Sequence, residues 1–345
     1  MDSNARAVGA FAEANRTARI RAAEPLRDMF REARFGRINV GQAPDQECII
    51  LRDSGGREEE YEDTGATREM RTELRAYNDL LARTFLDLPH IEEPYIERAI
   101  TTGPREGQQI RVPFFPGNKF VRRVFSRGDW NLNGRFYRGW WQQIGSDLRK
   151  KIHINGFPTI ERDFKALHIN LLSLERGVRL DGDPYDLTDG FLEGVERKEQ
   201  RRYLKTLVLT AINAADECAA YQAFRNSYPA GDPARRFRND ALRSLLDEFV
   251  RRTPQLEGAL FADQGIRLMN VDARIAEGVI RGAVELRLPV LCVHDSFIVD
   301  YRHAKLLEDL MKEASINAVG QLLLTSGEWL GLDEVDEVVR DDYAD

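Results

Sequence analysis

The chain has 345 residues, of which 42% are hydrophobic and 31% charged, and its formal net charge is −7 at pH 7. This length allows one large domain or two ordinary ones, and the composition is typical of a soluble globular protein. The sequence lacks an apolar run long enough to span a membrane and a basic segment leading into an apolar stretch at its start. The three cysteines are far apart and fit reduced thiols. We therefore expect a cytoplasmic protein with no membrane partner.

Positive charge is concentrated in residues 119–151, which contain nine Lys or Arg against two acids, interleaved with Trp, Phe and Tyr. Guanidinium groups neutralise phosphates and aromatic rings stack on bases, so this segment suits a nucleic-acid groove. The same composition also fits a solvated basic face over a few core aromatics, and the segment alone does not decide between them. Residues 328–345, with eight acids and one Arg, are typical of a solvated acidic tail.

The first third of the chain reads as mainly helical. Residues 5–35 are rich in Ala and Arg and predict a helix, and residues 48–51 predict a short strand. Residues 67–86 place apolar side chains at spacings of three and four, which predicts a long helix.

The rest of the chain alternates short strands and helices. The Asn155-Gly156 pair predicts a tight turn between strands at 152–154 and 157–160. Strands are also predicted at 289–293 and 297–299. The predicted helices cover residues 164–174, 201–224, 241–250, 266–286 and 303–324. This order indicates an α+β fold, with a sheet core and helical attachments.

Two aspartates occupy comparable places on this map. Asp163 ends the second strand of the Asn-Gly hairpin, and Asp295 lies in the turn between the two later strands. Carboxylates on neighbouring strands could hold a pair of Mg²⁺ ions that activate a hydroxyl and stabilise a leaving pyrophosphate. Taken separately, each Asp is better explained as a turn former.

The surroundings of both aspartates resemble known polymerase motifs. His294-Asp295-Ser296-Phe297 is similar to the third motif of family A DNA polymerases and single-subunit, phage-type RNA polymerases, in its RNA polymerase form. The segment from Asp163 to His168 is similar to the first motif of this superfamily. The segment from Arg201 through Lys205 to Asn213 resembles the second.

Two further segments support the resemblance. Asp129-Trp130 with Gly134-Arg135 is similar to the Asp-Trp, Gly-Arg segment of the phage-type enzymes, and Gln264-Gly265 resembles the Gln-Gly of family A DNA polymerases. All five segments follow the order of the superfamily and cover roughly residues 119 to 310. We therefore expect a compact, divergent member, with a right-hand polymerase palm made of an antiparallel sheet with helices.

The resemblance implies a role for each matching residue. Asp163 and Asp295, with the Phe164 carbonyl, would bind two Mg²⁺ ions, for which Mn²⁺ could substitute. Lys205 would protonate the leaving pyrophosphate and, with Arg201, would grip the triphosphate. The remaining roles are the sugar and base pocket, for His168, Leu209 and Asn213, and contact with primer or template, for Arg135, Gln264 and His294.

The pocket departs from the superfamily pattern. His168 stands where the DNA polymerases have their sugar-excluding Glu, Asn213 stands in place of the second-motif Tyr, and Leu209 in place of an aromatic residue. These differences leave the choice between deoxynucleotides and ribonucleotides open, with DNA synthesis slightly favoured.

The resemblance also predicts a domain layout. Residues 1–110 would form a helical, thumb-like region, 111–200 the first part of the palm and 259–345 its second part with the acidic tail. Residues 201–258 would form abbreviated helical fingers. We expect a DNA or RNA template and primer, with dNTP or NTP, as partners.

Two other functions compete with synthesis. The altered pocket is compatible with a palm that binds nucleic acid without catalysis. The adjacent His294 and Asp295 also occur in metal-dependent phosphohydrolases, but there the pair lies on a helix, whereas here strands flank it. The small size favours a role in phage or mobile-element replication or repair.

Overall fold

A computed structural model describes residues 23–33, 46–91, 93, 95–100, 105–113, 119–188 and 190–327. The chain divides into two compact units, Met1–Asp45 and Gln46–Asp345. In the first unit, helix α1 (Glu24–Glu32) has a proline in its first turn, where the missing N–H removes no hydrogen bond. This confirms part of the helix predicted for residues 5–35, and the rest of that range lies outside the described residues.

In the second unit, helix α2 (Gly65–Arg83) confirms the long predicted helix. Its start is set by Thr64, whose hydroxyl accepts a hydrogen bond from the backbone N–H of Thr67 at 3.2 Å. Five strands surround it in the sequence. They are β1 (Ile49–Arg52), β2 (Glu58–Glu59), β3 (Leu86–Asp87), β4 (Tyr95–Ala99) and β5 (Gln109–Pro113). Strand β1 confirms the short strand predicted at residues 48–51, whereas β2, β3, β4 and β5 are strands in a part of the chain that was expected to be mainly helical.

The basic segment begins with a hairpin that the sequence analysis does not anticipate. Strands β6 (Arg122–Ser126) and β7 (Asp129–Tyr137) join through Arg127 and Gly128, which both adopt positive φ. Positive φ at both central residues is typical of a tight hairpin turn. The sheet order is β2-β1-β6-β7, with β1 and β6 parallel and the other pairs antiparallel.

A six-stranded antiparallel sheet carries both predicted catalytic aspartates. Its order is β10-β11-β9-β8-β3, with β12 beside β9. The new strands are β8 (His153–Ile154), β9 (Phe157–Phe164), β10 (Val290–Val293), β11 (Ser296–Asp300) and β12 (Thr325–Gly327). The predicted Asn-Gly turn is confirmed, because Asn155 and Gly156 have φ of 53° and 85°.

Seven further helices complete the described part of this unit. They are α3 (Ser146–Arg149), α4 (Leu167–Leu174), α5 (Arg197–Asn213), α6 (Glu217–Asn226), α7 (Asn239–Arg252), α8 (Gly265–Glu285) and α9 (Ala304–Val319). The single helix predicted for 201–224 is two helices, because the Asp216 carboxylate accepts the backbone N–H of Ala219 and starts α6 there.

Helix α8 packs against both β7 and α9. Its glycines permit the close approach to α9, since a Cβ at Gly282 would come 2.6 Å from the Leu310 side chain. The four-stranded and six-stranded sheets each cross the boundary predicted at residue 110, because β1 pairs with β6 and β3 pairs with β8, while β4 and β5 form a separate two-stranded sheet. The α+β class with mainly antiparallel sheets is confirmed. Among the described residues, no helix combines the length and apolar character needed to cross a membrane.

Candidate active site

The ladder between β9 and β11 brings the two predicted catalytic aspartates together. Asp163 of β9 is paired with Ser296 of β11, the residue that follows Asp295. The backbone N–H of Phe164 donates to the Asp295 carbonyl oxygen at 3.3 Å. Asp163 and Asp295 are therefore neighbours across adjacent strands, at the end of the ladder where β9 gives way to α4.

Buried side chains form hydrogen bonds to strand β10, which leads into the turn that carries Asp295. The Tyr77 hydroxyl donates to the Val290 carbonyl at 2.7 Å, and Trp141 Nε1 donates to the Cys292 carbonyl at 2.9 Å. Both aromatic side chains are fully buried. Hydrogen bonds from rigid buried rings leave the β10–β11 turn little freedom, which favours a fixed position for the Asp295 backbone.

Hydroxyl groups of neighbouring strands bond the carboxylates of β9. Asp163 is exposed and accepts a hydrogen bond from the Ser326 hydroxyl of β12. Glu161, two residues earlier and so on the same face, accepts one from the Ser296 hydroxyl at 2.6 Å and pairs with Arg149. Within the described ranges, Glu161 has a cationic partner and Asp163 is bonded only by a hydroxyl.

Asp295 is half-buried and forms no ion pair with any described residue. Burial raises the pKa of its carboxyl group and the nearby Asp272 adds to this, while Arg135 opposes it. A carboxylate that loses hydration without gaining a paired cation is a favourable place for a divalent ion. Asp163, its neighbour along the backbone of the sheet edge, and the Phe164 carbonyl would add oxygen ligands of the kind that Mg²⁺ and Mn²⁺ prefer.

These residues are a partial ligand set. Within the described ranges, no group of three or more His, Cys, Asp or Glu side chains could hold a metal ion. Magnesium is commonly bound through one or two carboxylates plus substrate phosphates and water. The two aspartates therefore fit a metal that arrives with, or is completed by, a phosphorylated substrate.

Behind the carboxylates lies a buried ion cluster that joins α8, β7 and α4. Arg135 Nε donates to both oxygens of the Asp272 carboxylate, at 2.9 and 3.0 Å. His168 Nε2 lies 2.9 Å from Asp272 Oδ2 and 3.2 Å from Arg135 Nη2. The Asp272 side chain has no exposed surface and that of Arg135 is 14% exposed. Arg135 and His168 are therefore held by Asp272 in fixed positions.

His294 occupies the tip of the β10–β11 turn in a left-handed conformation, with φ of 58°. Its ring packs edge-on against Tyr137, with centroids 5.3 Å apart, and no described residue hydrogen-bonds its buried Nδ1. Burial, and secondarily the positive charge of Arg135, lowers the pKa of His294 to about 4. The ring is neutral near pH 7 and presents an unused nitrogen.

On α5, Arg201 and Lys205 lie one helical turn apart and both are exposed. Arg201 forms an ion pair with Asp183 and lies over the Tyr185 ring, 5.9 Å from its centroid. The pKa of buried Tyr185 is raised by burial and then by Asp183 and Asp295, while Arg201 lowers it. Arg201 and Asp295 therefore both influence the pKa of Tyr185, in opposite directions. Lys205 has no ion-pair partner among the described residues.

The end of α5 meets the start of α8. Asn213 Nδ2 donates to the Leu209 carbonyl at 2.6 Å, and a Cβ at Gly265 would overlap the Asn213 side chain. Gln264 is tied to this corner, since its backbone N–H donates to the Ile212 carbonyl at 2.9 Å. Leu209 and Asn213 line a groove of about 640 Å³ between α5 and α6. No hydrogen bond joins Asn213 to His168 in the described part of the chain, so these two pocket residues are held by separate networks.

The basic segment is mostly not a free cationic surface. Trp140, Trp141 and Phe136 are buried in the core and cannot offer their faces to bases. Lys119 is also buried, where it donates to the Ala82 and Thr84 carbonyls. For these residues the alternative of core aromatics beneath a polar face is the correct one.

Asp272 is the functional candidate that the sequence analysis missed. It lies on α8 with buried Leu268, Ile275 and Ala276, so it occupies the apolar face of an amphipathic helix. A carboxylate at such a position requires a buried cation or hydrogen-bond donors, and this signal could have identified it. Ser326 gave no such signal, because its position next to Asp163 depends on the pairing of β12 with β9.

Comparisons of the chain with protein-family models and with curated proteins find no match. The resemblance to polymerases therefore rests on the motif residues.

Proposed function

We propose that this protein is a template-directed nucleic-acid polymerase that uses the β9–β11 ladder as its palm. The observation that carries the proposal is the pairing of Asp163 with Ser296, which places two carboxylates from distant motifs on adjacent strand ends. The motifs were identified without this pairing, so their meeting at one sheet edge supports the proposal independently.

Asp163, Asp295 and the Phe164 carbonyl would hold the metal ions. When bound, Mg²⁺ supplies activation of the attacking hydroxyl and neutralisation of charge on the leaving pyrophosphate. Lys205 is exposed and has no carboxylate partner among the described residues, so its ammonium group is available to donate a proton to the pyrophosphate. Arg201 would bind the triphosphate by exchanging Asp183 for phosphate oxygens.

The primer terminus would contact the buried side of the site. Arg135 keeps its guanidinium fixed on Asp272, and His294 places its neutral, half-buried ring at the tip of the β10–β11 turn. Groups that are already positioned need no reorganisation at the moment of reaction, which favours stabilisation of the transition state. We assign the fingers role to α5–α7 and the thumb role to the N-terminal region as part of the same proposal, with dNTP slightly favoured over NTP.

A palm that binds nucleic acid without synthesis is the second candidate. It is favoured by one observation, that no third acidic or histidine ligand joins Asp163 and Asp295 among the described residues. The same observation disfavours a His-Asp phosphohydrolase, whose metal site needs further side-chain ligands.

The test is incorporation of labelled nucleotides on a primed template with Mg²⁺, for Asp163→Asn and Asp295→Asn. Both variants should lose at least about a hundredfold in rate, since each removes a charge that acts on the transition state. Asp309→Asn is a matched control, because Asp309 is an exposed carboxylate paired with Lys305 on α9. Rates within a few-fold of wild type for either palm variant would contradict catalysis at this site.

A non-catalytic palm predicts a different result. Wild type would then bind the primed template but incorporate neither dNTP nor NTP with Mg²⁺ or Mn²⁺.

A further inference from the structure

The six arginines between residues 119 and 151 divide into two groups. Four of them form ion pairs with carboxylates, as Arg123–Glu277, Arg127–Asp263, Arg135–Asp272 and Arg149–Glu161. The other two, Arg122 and Arg138, form no ion pair with any described residue. Arginine is always charged in proteins, so within the described residues this pair keeps two positive charges without an ion-paired counter-charge.

The two unpaired guanidinium groups converge on one atom. The Gln46 side-chain oxygen accepts hydrogen bonds from Arg138 Nη1 at 2.7 Å and from Arg122 Nη2 at 2.8 Å. The amide is oriented this way because its NH₂ group would otherwise face arginine donors. Two cations thus share one neutral oxygen, although each guanidinium carries five N–H donors.

Arg122 has a further hydrogen-bond donor that no described residue accepts. Arg122 Nε is buried and has no hydrogen-bond partner among the described residues. Burial, followed by the positive charge of Arg122, lowers the pKa of Arg138, while Glu58 opposes this. A buried donor and two like charges held together both cost free energy, and an anion placed between them would relieve both costs.

The location connects this pair to the candidate active site. Arg122 is opposite Tyr137 in the β6–β7 ladder, and Arg138 follows Tyr137 with φ of 91°. The Tyr137 ring packs on His294, next to Asp295. A non-glycine residue at this φ is strained, and such strain persists where the surrounding structure uses the resulting side-chain direction.

We propose that Arg122 and Arg138 form a phosphate-binding site whose occupant is a backbone phosphate of the nucleic-acid strand entering the active site, with the Gln46 oxygen holding the place of a phosphate oxygen. This assignment rests on the proposed function for its choice of occupant. Two guanidinium groups can bind a phosphate through several charge-assisted hydrogen bonds, which a single neutral amide oxygen cannot replace.

The first test measures binding of a fluorescently labelled primed DNA duplex by anisotropy, without Mg²⁺, over a range of KCl concentrations. Arg138→Gln should weaken binding about fivefold and reduce the slope of log K against log[salt] by about 1. Arg251→Gln is the matched control, because Arg251 is exposed and paired with Glu248 on α7. Equal affinities and slopes for Arg138→Gln and the control would overturn the site.

A second variant separates phosphate binding from a structural role. Gln46→Glu supplies the missing negative charge internally, so it should raise Tm while weakening duplex binding as much as Arg138→Gln does. Unchanged duplex affinity in this variant would overturn the proposal, because filling the site with the new carboxylate would then have no effect on binding of the strand.

A third experiment uses tripolyphosphate as a phosphate anion that is not part of a nucleic-acid strand. Tripolyphosphate could raise Tm only when Arg138 is present, while duplex binding is the same with and without Arg138. That combination would overturn the assignment to a nucleic-acid strand. Because every binding measurement omits Mg²⁺, its result is independent of catalysis. Duplex binding that depends on Arg138 in a protein that incorporates no nucleotide would contradict the proposed synthesis and leave this site standing.

Discussion

The Asp272 carboxylate accepts two hydrogen bonds from Arg135 Nε, at 2.9 and 3.0 Å, between helix α8 and strand β7. The carboxylate has no exposed surface, so its charge is matched inside the protein by Arg135, and His168 Nε2 lies 2.9 Å from it. Breaking one partner of a buried pair leaves the other uncompensated, which costs more than the pair itself contributes. Asp272 is thus a positioning residue for two side chains of the candidate active site.

Asp272→Asn should lower the free energy of unfolding by about 3 kcal/mol, because Arg135 is left buried without its counter-charge. Chemical denaturation measures this loss, and nucleotide incorporation should fall with it.

Asp272→Asn combined with Arg135→Gln separates positioning from stability. The double variant should recover part of the stability, since no unpaired charge remains, but none of the activity. Recovery of incorporation in the double variant would show that Arg135 does not contact substrate.

Lys205→Ala should lower kcat at least about a hundredfold if its ammonium group acts on charge that develops in the transition state. Arg201→Ala should mainly raise KM for the nucleotide, because it removes a binding contact. Steady-state kinetics with varied nucleotide distinguishes these effects. Arg202→Ala is the control on the same helix, since Arg202 is paired with Glu199. Loss of kcat in the control equal to that in Lys205→Ala would contradict the assignment.

Asp183→Asn tests whether Arg201 must leave its present partner. The ion pair between them competes with the triphosphate for the same guanidinium. Its removal should lower the nucleotide KM about two- to fivefold with little change in kcat, on the scale of an exposed ion pair. An increase in KM would indicate that Asp183 orients Arg201 for binding.

Sugar selection should be weak, with dNTP and NTP incorporated within about a hundredfold of each other, since a roomy pocket discriminates poorly. His168 is held by Asp272 and Arg135, whereas Asn213 is held by the Leu209 carbonyl. His168→Ala should therefore change the dNTP/NTP ratio without altering the corner around Asn213. Single-nucleotide incorporation on one primed template gives the ratio. A strict ratio unaffected by changes at both residues would contradict the proposed pocket.

The neutral His294 ring should make stability depend on pH. Its pKa falls from an ordinary 6.5 to about 4 in the folded protein, so the unfolded state binds more protons between these values. The stabilisation from His294 is present above about pH 6.5 and is lost as pH falls towards 4. His294→Asn keeps a residue that tolerates positive φ and removes the titration.

Thermal unfolding at pH 7 and pH 4.5 measures the difference. Wild type should lose at least about 4 °C more in Tm than His294→Asn over this interval. Equal losses would show that His294 is not buried as a neutral ring.

The local features of this protein follow from its amino-acid sequence. The Asn155-Gly156 turn, the long helix α2 and the strand–turn–strand around Asp295 follow from turn chemistry and hydrophobic periodicity, which act over a few residues. The motif order also placed Asp163 and Asp295 at strand ends, so their meeting at one sheet edge could be predicted. The β6–β7 hairpin was not predicted, because the Arg and aromatic residues of the basic segment were weighed only as a groove or a solvated face and not for strand pairing.

Whether a charged side chain is paired with a counter-charge depends on the tertiary structure. Arg135 and Arg138 lie three residues apart in the basic segment, yet Asp272 neutralises the first from 137 residues away and the second converges with Arg122 on Gln46. Burial and pairing depend on contacts between distant segments, and electrostatic free energies change with both. The sequence could therefore identify the residue types of the site, whereas their charge balance and partners required the fold.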